Sequence, residues 1–205
     1  MYSKLAKVEG GQEITPEVGQ MFRRLLDQLR TLTAPPALVM YLRDGVGESM
    51  RDEILQSEAS ALRAALNDAG LVDSKILFVI ATKRHHFRAG RCGHQLQNAD
   101  AGTVIAGGDV VEDPDRDFFM YSHQPRLGTS KPVLYHVLYN DGACPIAEIQ
   151  EAVYATAFLH HRSTASTSLP APVYAAHLLA ARANQYLDDT ERVEILESMS
   201  TAWWM

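Results

Sequence analysis

A carboxylate follows the first apolar run of this sequence. Residues 37–42 form a short, continuous apolar segment, which is typical of a strand buried on both faces, and Asp44 comes two residues after it. Ligands of open α/β sheets bind in the crevice outside the carboxyl ends of the strands. A carboxylate at this position is therefore suited to a hard divalent cation. The alternative is that Asp44 caps the next helix or pairs with Arg43.

A cluster of cations follows the second apolar run. After residues 75–81 the chain reads Lys-Arg-His-His-Phe-Arg over residues 83–88, and five of these six side chains can donate hydrogen bonds. The helix predicted between the two runs makes them a βαβ unit, so the strands are expected to be parallel and the cations to emerge at the same edge as Asp44. Cations there would attract the phosphates of a polymer. The alternative is an ordinary solvated basic loop.

A histidine and a glutamate lie near opposite ends of the chain. His177 stands on an alanine-rich helical segment, where a lone histidine is more often a packing residue than a metal ligand. Arg182 follows five residues later. At about 100° per residue it points roughly 140° away, so the two side chains would serve different parts of a site. Glu13 belongs to a glycine-bearing stretch and indicates little by itself. Carboxylates with a histidine suit divalent ions, which in two-metal nucleases activate water and stabilise the leaving oxygen.

The elements that must position these side chains give an α/β class, with a mixed sheet followed by helices. Strands are predicted at 4–8, 37–42, 75–81, 102–105, 118–122 and 133–139. Helices are predicted at about 15–29, 49–70, 145–162, 172–187 and 190–201. Thr15 and Ser49 are the expected capping residues of the first two helices. Glycine-rich phosphate loops and a nucleophile elbow are absent from the sequence, which disfavours dinucleotide, P-loop and serine hydrolase chemistry.

Composition limits the class of protein further. With 205 residues, of which 46% are hydrophobic and 21% charged, the chain is one globular domain or most of one. The formal net charge of −6 argues against indiscriminate nucleic-acid binding, although a local basic cluster can still bind phosphate. The two cysteines form no CxxC pair and fit a reducing interior, and no stretch has the length of a membrane span or the pattern of a signal peptide. The expected location is cytoplasmic, with no membrane partner.

Seven short motifs in one order carry a resemblance. They are Gly-Gln-Glu-Ile at 11–14, Tyr-Leu-Arg-Asp-Gly-Val at 41–46, Lys-Arg-His-His at 83–86, Asp-Phe-Phe-Met-Tyr-Ser-His at 117–123, Gly-Thr-Ser-Lys-Pro at 128–132, Tyr-His-Val-Leu-Tyr at 135–139 and Leu-Pro-Ala-Pro-Val-Tyr-Ala-Ala-His-Leu at 169–178. Together they resemble the later two-thirds of an Argonaute Piwi domain, which has an RNase H-like fold. Each motif is weak alone, but the ordered set covers nearly the whole chain.

The resemblance implies roles for individual residues. Slicing Argonautes hold two magnesium ions (manganese is the alternative) with an Asp-Glu-Asp-His tetrad, and Glu13, Asp44 and His177 match its last three members, with Asp44 and His177 as metal ligands. Arg182 matches an arginine that helps to hold the 5′ phosphate of the guide strand. The other positions expected to contact RNA are Lys83, Arg84, His86, Arg88, His123, Lys131, Arg162, Ser168 and Tyr174.

The resemblance also implies partners and two competing functions. The partners would be a small guide RNA, a target RNA, the rest of an Argonaute (PAZ, Mid and the start of Piwi) and silencing effector proteins. The first tetrad aspartate belongs to a Gly-x-Asp-x-x-His-Pro type motif, and nothing before Glu13 resembles it. We therefore expect residues 1–205 to be a partial Piwi domain that lacks the N-terminal strands. Its function would be RNA-guided cleavage of RNA or, alternatively, guide binding without cleavage that acts through recruited partners.

Overall fold

Five strands form the sheet that carries the candidate site. The computed structural model describes residues 15, 17–29, 34–93, 97–125, 127–183 and 185, so Glu13 and the elements predicted at 4–8 and 190–201 lie outside the described residues. The strands of the sheet follow the order β1-β2-β7-β6-β5, and β3 with β4 forms a separate two-stranded ribbon. Their bounds are Leu38–Asp44 (β1), Lys75–Thr82 (β2), Gly90–Arg91 (β3), Gln97–Asn98 (β4), Thr103–Ile105 (β5), Asp117–Tyr121 (β6) and Val133–Asn140 (β7).

The sheet is mixed, as predicted. The starts of β1 and β2 lie together, because the backbone N–H of Lys75 donates to the carbonyl oxygen of Ala37 at 2.9 Å. Their ends also lie together, since a Cβ added to Gly45 would stand 3.3 Å from the Oγ1 of Thr82. The two strands therefore run in the same direction. The pairs β2–β7, β7–β6 and β6–β5 are antiparallel.

The chain divides into two compact units, and the second contains residues 40–47 and 77–175. Its core is the inward face of the sheet packed against helix α4, Ile146–Thr156. Alternate residues of the strands point inward, as the period of a strand requires. The buried members of this core are Leu77, Val79, Ala81, Phe118, Met120, Val133, Tyr135, Val137, Ile149, Val153, Leu169 and Val173.

The first unit contains residues 1–39, 48–76 and 176–205. Helix α1 (Val18–Gln28) packs closely on α3 (Ser60–Asp68), because a Cβ on Gly19 would lie 3.2 Å from the Cβ of Ala61. An ion pair between Arg23 and Asp68 also joins the two helices. A single helical turn, α2 (Arg51–Ile54), precedes α3 and is joined to it by a π-helical turn over Leu55–Ala59.

Both capping predictions were wrong. The backbone N–H of Val18 bonds to the carbonyl oxygen of Thr15 at 3.2 Å, and α1 has no side-chain cap. The segment predicted to begin at Ser49 opens as a 3₁₀ turn over Glu48–Met50, so the N-cap position falls on Met50, which provides no capping side chain. A 3₁₀ turn shifts the first free N–H groups away from the expected hydroxyl.

The helix predicted at 145–162 ends early, at Thr156. The carbonyl oxygen of the next residue, Ala157, accepts both the backbone N–H and the side-chain hydroxyl of Thr167, at 2.9 and 3.0 Å. That carbonyl is thus engaged by a distant residue and does not extend the helix. The last described helix, α5, spans Ala171–Ala183 and matches the prediction at 172–187. Among the described residues, no helix has the length and apolarity to cross a membrane.

Candidate nucleic-acid interface

The end of β2, the start of β7 and the end of β6 lie side by side at one end of the sheet. This end, where strands begin or finish, is called the edge below. Thr82, the last residue of β2, pairs with Leu134 near the start of β7. Val133, the first residue of β7, pairs with Met120 near the end of β6. Because of this register, the segments that follow β2, precede β7 and follow β6 emerge side by side. The same edge receives the end of β1, where Gly45 approaches Thr82.

Four of the predicted contact residues come together at this edge. The ammonium group of Lys83 donates to the hydroxyl of Ser168 at 2.9 Å. Burial and, to a smaller extent, the charge of Lys131 lower the pKa of Lys83. Burial and then the charge of Lys83 lower the pKa of His123. The positive charges near Lys83 and His123 thus disfavour their protonated forms, and an anion bound beside them would offset that repulsion.

The remaining cations of the 83–88 cluster divide into two groups. Arg84 and His86 are exposed. Arg88 turns back, and its Nη1 donates to the carbonyl oxygens of Phe87 at 2.6 Å and His85 at 3.3 Å. Part of the Arg88 guanidinium therefore holds the backbone of its own segment in place.

His85 is an anchor, since its Nε2 donates to the carbonyl oxygen of Pro132 at 2.9 Å. Burial lowers the pKa of His85 despite this hydrogen bond, and the neighbouring cations lower it further. A carbonyl oxygen only accepts, so Nε2 carries the proton of this bond.

Residues 123–125 and 127–131, called the second loop below, are held by a side chain from the β3–β4 ribbon. The Nδ2 of Asn98 donates to the carbonyl oxygen of Gly128 at 2.9 Å, and its Oδ1 accepts the backbone N–H of Ser130 at 2.8 Å. Gly128 has a φ of +78°, which favours glycine at this turn. The sequence prediction missed Asn98, because a lone asparagine in an irregular stretch does not reveal a partner 30 residues away.

The segment leading into α5 contributes a further group. Arg162 is exposed, and Tyr174 is half-buried with its ring 4.7 Å from that of His160. His160 is only 6% exposed, and its pKa is lowered by burial and then by the charges of His161 and Arg162. It was also missed, although the sequence His-His-Arg gave a signal of the same kind as the cluster at 83–88.

The predicted catalytic residues fall in different parts of the structure. Asp44 is exposed at the end of β1 in the second unit, and its Oδ1 accepts the backbone N–H of Gly45 at 2.9 Å. It therefore lies at the predicted edge. His177 and Arg182 are exposed on the part of α5 that belongs to the first unit, and Glu13 is outside the described residues.

Within residues 15–185, apart from the undescribed positions, no three His, Cys, Asp or Glu side chains converge. Mg²⁺ is usually held by one or two carboxylates together with water and substrate phosphates. Asp44 places one carboxylate at the strand edge.

A mixed sheet with cations gathered at one edge defines an α/β domain suited to a polyanionic ligand. The model of the Piwi domain family matches residues 1–188, and the chain belongs to that family. It is 36% identical over 185 residues to protein argonaute-2 of Drosophila melanogaster and 32% identical over 179 residues to protein argonaute 7 of Arabidopsis thaliana. Each match covers 86% of this chain but only 15% and 18% of those proteins.

Solved structures agree on the fold. The C-terminal lobe of a budding yeast Argonaute superposes with a TM-score of 0.77 at 24% identity, over 96% of this chain and 42% of that one. Kluyveromyces polysporus Argonaute with a guide RNA gives 0.75 at 24% identity, over 95% and 25% of the two chains. Drosophila Piwi gives 0.64 at 25% identity, over 80% and 22%. The expected family and fold class are confirmed, and the chain corresponds to a portion of an Argonaute Piwi domain.

Proposed function

We propose that this chain binds a small guide RNA and its paired target in RNA-mediated gene silencing, as part of an Argonaute. The observation that carries the proposal is the convergence of Lys83, His123, Lys131 and Ser168 at one edge of the sheet. Phosphate oxygens accept hydrogen bonds from lysine, histidine and serine alike, and they neutralise the cations. The similarity to an Argonaute structure that contains a guide RNA supports the same assignment.

The proposed RNA contacts come from three parts of the chain. Lys83, Arg84, His86 and Arg88 follow β2 and meet the guide backbone. The second loop contributes His123 and Lys131. The segment before α5 and the helix itself contribute the hydroxyl-bearing and cationic groups Arg162, Ser168, Tyr174 and Arg182. The rest of the Argonaute, including PAZ, Mid and the start of Piwi, would hold the two ends of the guide, and the complex would act in the cytoplasm.

The finer proposal is that the same protein cleaves the target strand. Glu13, Asp44 and His177 would be its catalytic residues, with Asp44 and His177 as ligands of Mg²⁺ or Mn²⁺. Such an ion, when bound, stabilises the negative charge that develops on the phosphate during hydrolysis. The placement of Asp44 beside the strand end that also bears Lys83 supports its share of this role.

A second candidate function is guide binding without cleavage, with silencing carried out by recruited proteins. One observation in the first unit favours it. An apolar cavity of about 410 Å³ is lined by Phe22, Leu26, Leu29, Ala34, Pro35, Pro36, Leu38, Val39, Ala69 and Leu71. A cleft of this size and character suits an apolar side chain of another protein.

Replacing Lys83 and Arg84 together with alanine tests the proposed function. We expect the affinity for a guide–target duplex to fall about tenfold at physiological salt, equally across sequences, because phosphate contacts carry no sequence information. The slope of log K against log salt should become shallower by about 2, one for each cation removed. The measurement is a titration by fluorescence anisotropy at several salt concentrations.

The matched control is Lys75→Ala with Arg116→Ala, which removes the same charge at the opposite edge of the sheet. Lys75 begins β2 and Arg116 directly precedes β6, and both are exposed. Equal losses in the two double variants, or none in either, would refute the site. In the same reactions with Mg²⁺, a guided cut that disappears in Asp44→Ala favours the nuclease over the non-cleaving module.

A further inference from the structure

Residues 83–91 are called the basic segment below, and exposed and anchored positions alternate within it over residues 84–87. His85, Phe87 and Ala89 contact the body of the second unit, whereas Arg84 and His86 are exposed. The segment forms no ladder before β3 begins at Gly90, and at its start the backbone N–H of His85 bonds to the carbonyl oxygen of Lys83 at 3.2 Å. The spacing of the exposed cations is therefore set by the three anchors.

Two of the anchors are rings that share one partner. The ring of Phe87 stacks on Phe119 of β6 with centroids 4.2 Å apart and an angle of 22° between the planes. The ring of His85 meets the same phenylalanine edge to face at 5.1 Å. Phe119 is 6% exposed, so both contacts are made over a buried surface. These contacts fix the distance of the segment from the sheet.

The third anchor is a tyrosine hydroxyl that bonds to the backbone of the segment. Tyr121, the last residue of β6, is 0% exposed. Its hydroxyl accepts the backbone N–H of Ala89 at 2.8 Å and donates to the carbonyl oxygen of the same residue at 2.8 Å. Both polar groups of one backbone residue are thus satisfied by one side-chain atom. This pairing fixes the position of the segment along the strand.

We infer that Tyr121 is a positioning residue for RNA binding, because its hydroxyl locks the basic segment in the conformation that presents Arg84 and His86. The inference rests on the proposed function. A segment that is already ordered loses little conformational freedom when the phosphates bind. When only a fraction of molecules has the competent conformation, the apparent dissociation constant rises by the inverse of that fraction.

A residue that positions the basic segment and a residue that contacts phosphate should change the salt dependence of binding differently. Tyr121 is neutral and buried, so removing its hydroxyl leaves every cation in place. The number of counterions released on binding, and with it the slope of log K against log salt, should not change. The Lys83 and Arg84 variants, in contrast, should reduce that slope.

The test is Tyr121→Phe, which keeps the buried ring and removes both hydrogen bonds to Ala89. The control is Tyr135→Phe, which removes a buried hydroxyl from neighbouring β7, beside Ser122. We expect amide exchange over 84–91 to accelerate only in Tyr121→Phe. Its affinity for the duplex should fall about three- to tenfold, the loss expected if the competent conformation drops to about a third to a tenth of the population, at an unchanged salt slope.

Each contrary outcome identifies what has failed. The role of Tyr121 is overturned if Tyr121→Phe leaves amide exchange over 84–91 unchanged. It is also overturned if Tyr121→Phe leaves the affinity unchanged although Lys83→Ala with Arg84→Ala weakens binding. Either result leaves the proposed function intact. Affinity that is insensitive to the Lys83 and Arg84 changes overturns the proposed function itself. If Tyr121→Phe also accelerates exchange in the core strands, Phe87→Ala is the second test variant. It removes another anchor of the basic segment and leaves the sequence of β6 unchanged. An unchanged affinity in that variant overturns the inference.

Discussion

The basic segment and the second loop carry cations at the same edge of the sheet but are held by different forces. Phe119 holds the basic segment through ring packing, with Tyr121 adding two hydrogen bonds. Asn98 holds the second loop through two hydrogen bonds to its backbone. The strength of ring packing depends on the buried area and is insensitive to salt. The strength of the hydrogen bonds from the Asn98 carboxamide depends on their direction and distance.

The difference shows how one interface can combine a rigid part with an adaptable one. Removing a buried phenylalanine ring costs about 3–5 kcal/mol, while a typical hydrogen bond contributes about 0.5–1.5 kcal/mol. In the wild type, the basic segment should therefore open less often than the second loop. The second loop should open in smaller, local fluctuations that leave the sheet intact.

The largest effect is expected for Phe119→Ala. The variant removes the shared partner of His85 and Phe87, so the free energy of unfolding should fall by about 3–5 kcal/mol. Urea unfolding followed by circular dichroism measures it. Leu127→Ala is the control, because this side chain is 93% exposed in the second loop and should change stability by less than about 0.5 kcal/mol. A loss below about 1 kcal/mol in Phe119→Ala would show that ring packing does not hold the segment.

A smaller and more local effect is expected for Asn98→Ala. The variant removes the acceptor of the buried Ser130 N–H and the donor to Gly128, and should cost about 1–2 kcal/mol. Amide exchange should accelerate at 127–131 but not in the basic segment. Asn98→Asp, which keeps the acceptor for Ser130, should lose less. Acceleration in both segments would mean that they are not held independently.

The smallest effect concerns pH. Burial and the charge of Lys83 lower the pKa of His123, so the folded state takes up this proton at a lower pH than the unfolded chain does. Stability is unaffected above the unfolded pKa of about 6.5 and falls as the pH drops below it, until the folded imidazole is protonated too. Urea midpoints at pH 7 and pH 5.5 should differ more in the wild type than in His123→Gln. His86→Gln, at an exposed position, is the control. Equal pH dependence in the wild type and His123→Gln would contradict the assignment.

The sheet was largely predictable from the sequence, because its strands are apolar runs. The segment predicted at 75–81 is observed as Lys75–Thr82, and that predicted at 133–139 as Val133–Asn140. The βαβ argument also placed Asp44 and Lys83 at one edge. The short β3–β4 ribbon was missed, since two residues per strand give no periodic signal.

The interior of the interface was not predictable in the same way. Lys83 and Ser168 are 85 residues apart, and only the resemblance placed them in one site. Tyr121 and Asn98 act on backbone groups about 30 residues away, as their hydrogen bonds with Ala89 and Gly128 show. Contacts between a side chain and a distant backbone depend on register and turn geometry, and local patterns contain neither.

The alternation of the basic segment has a consequence for how its length is constrained. Deleting or inserting one residue between Lys83 and Ala89 would exchange the two sets of side chains, in the same way that a one-residue slip turns a strand over. Charged groups such as Arg84 would then face the surface of Phe119, while the phenyl ring of residue 87 would face water. Substitutions at the exposed positions of this stretch should leave its anchors in place, whereas a change in the number of residues before Ala89 should displace them.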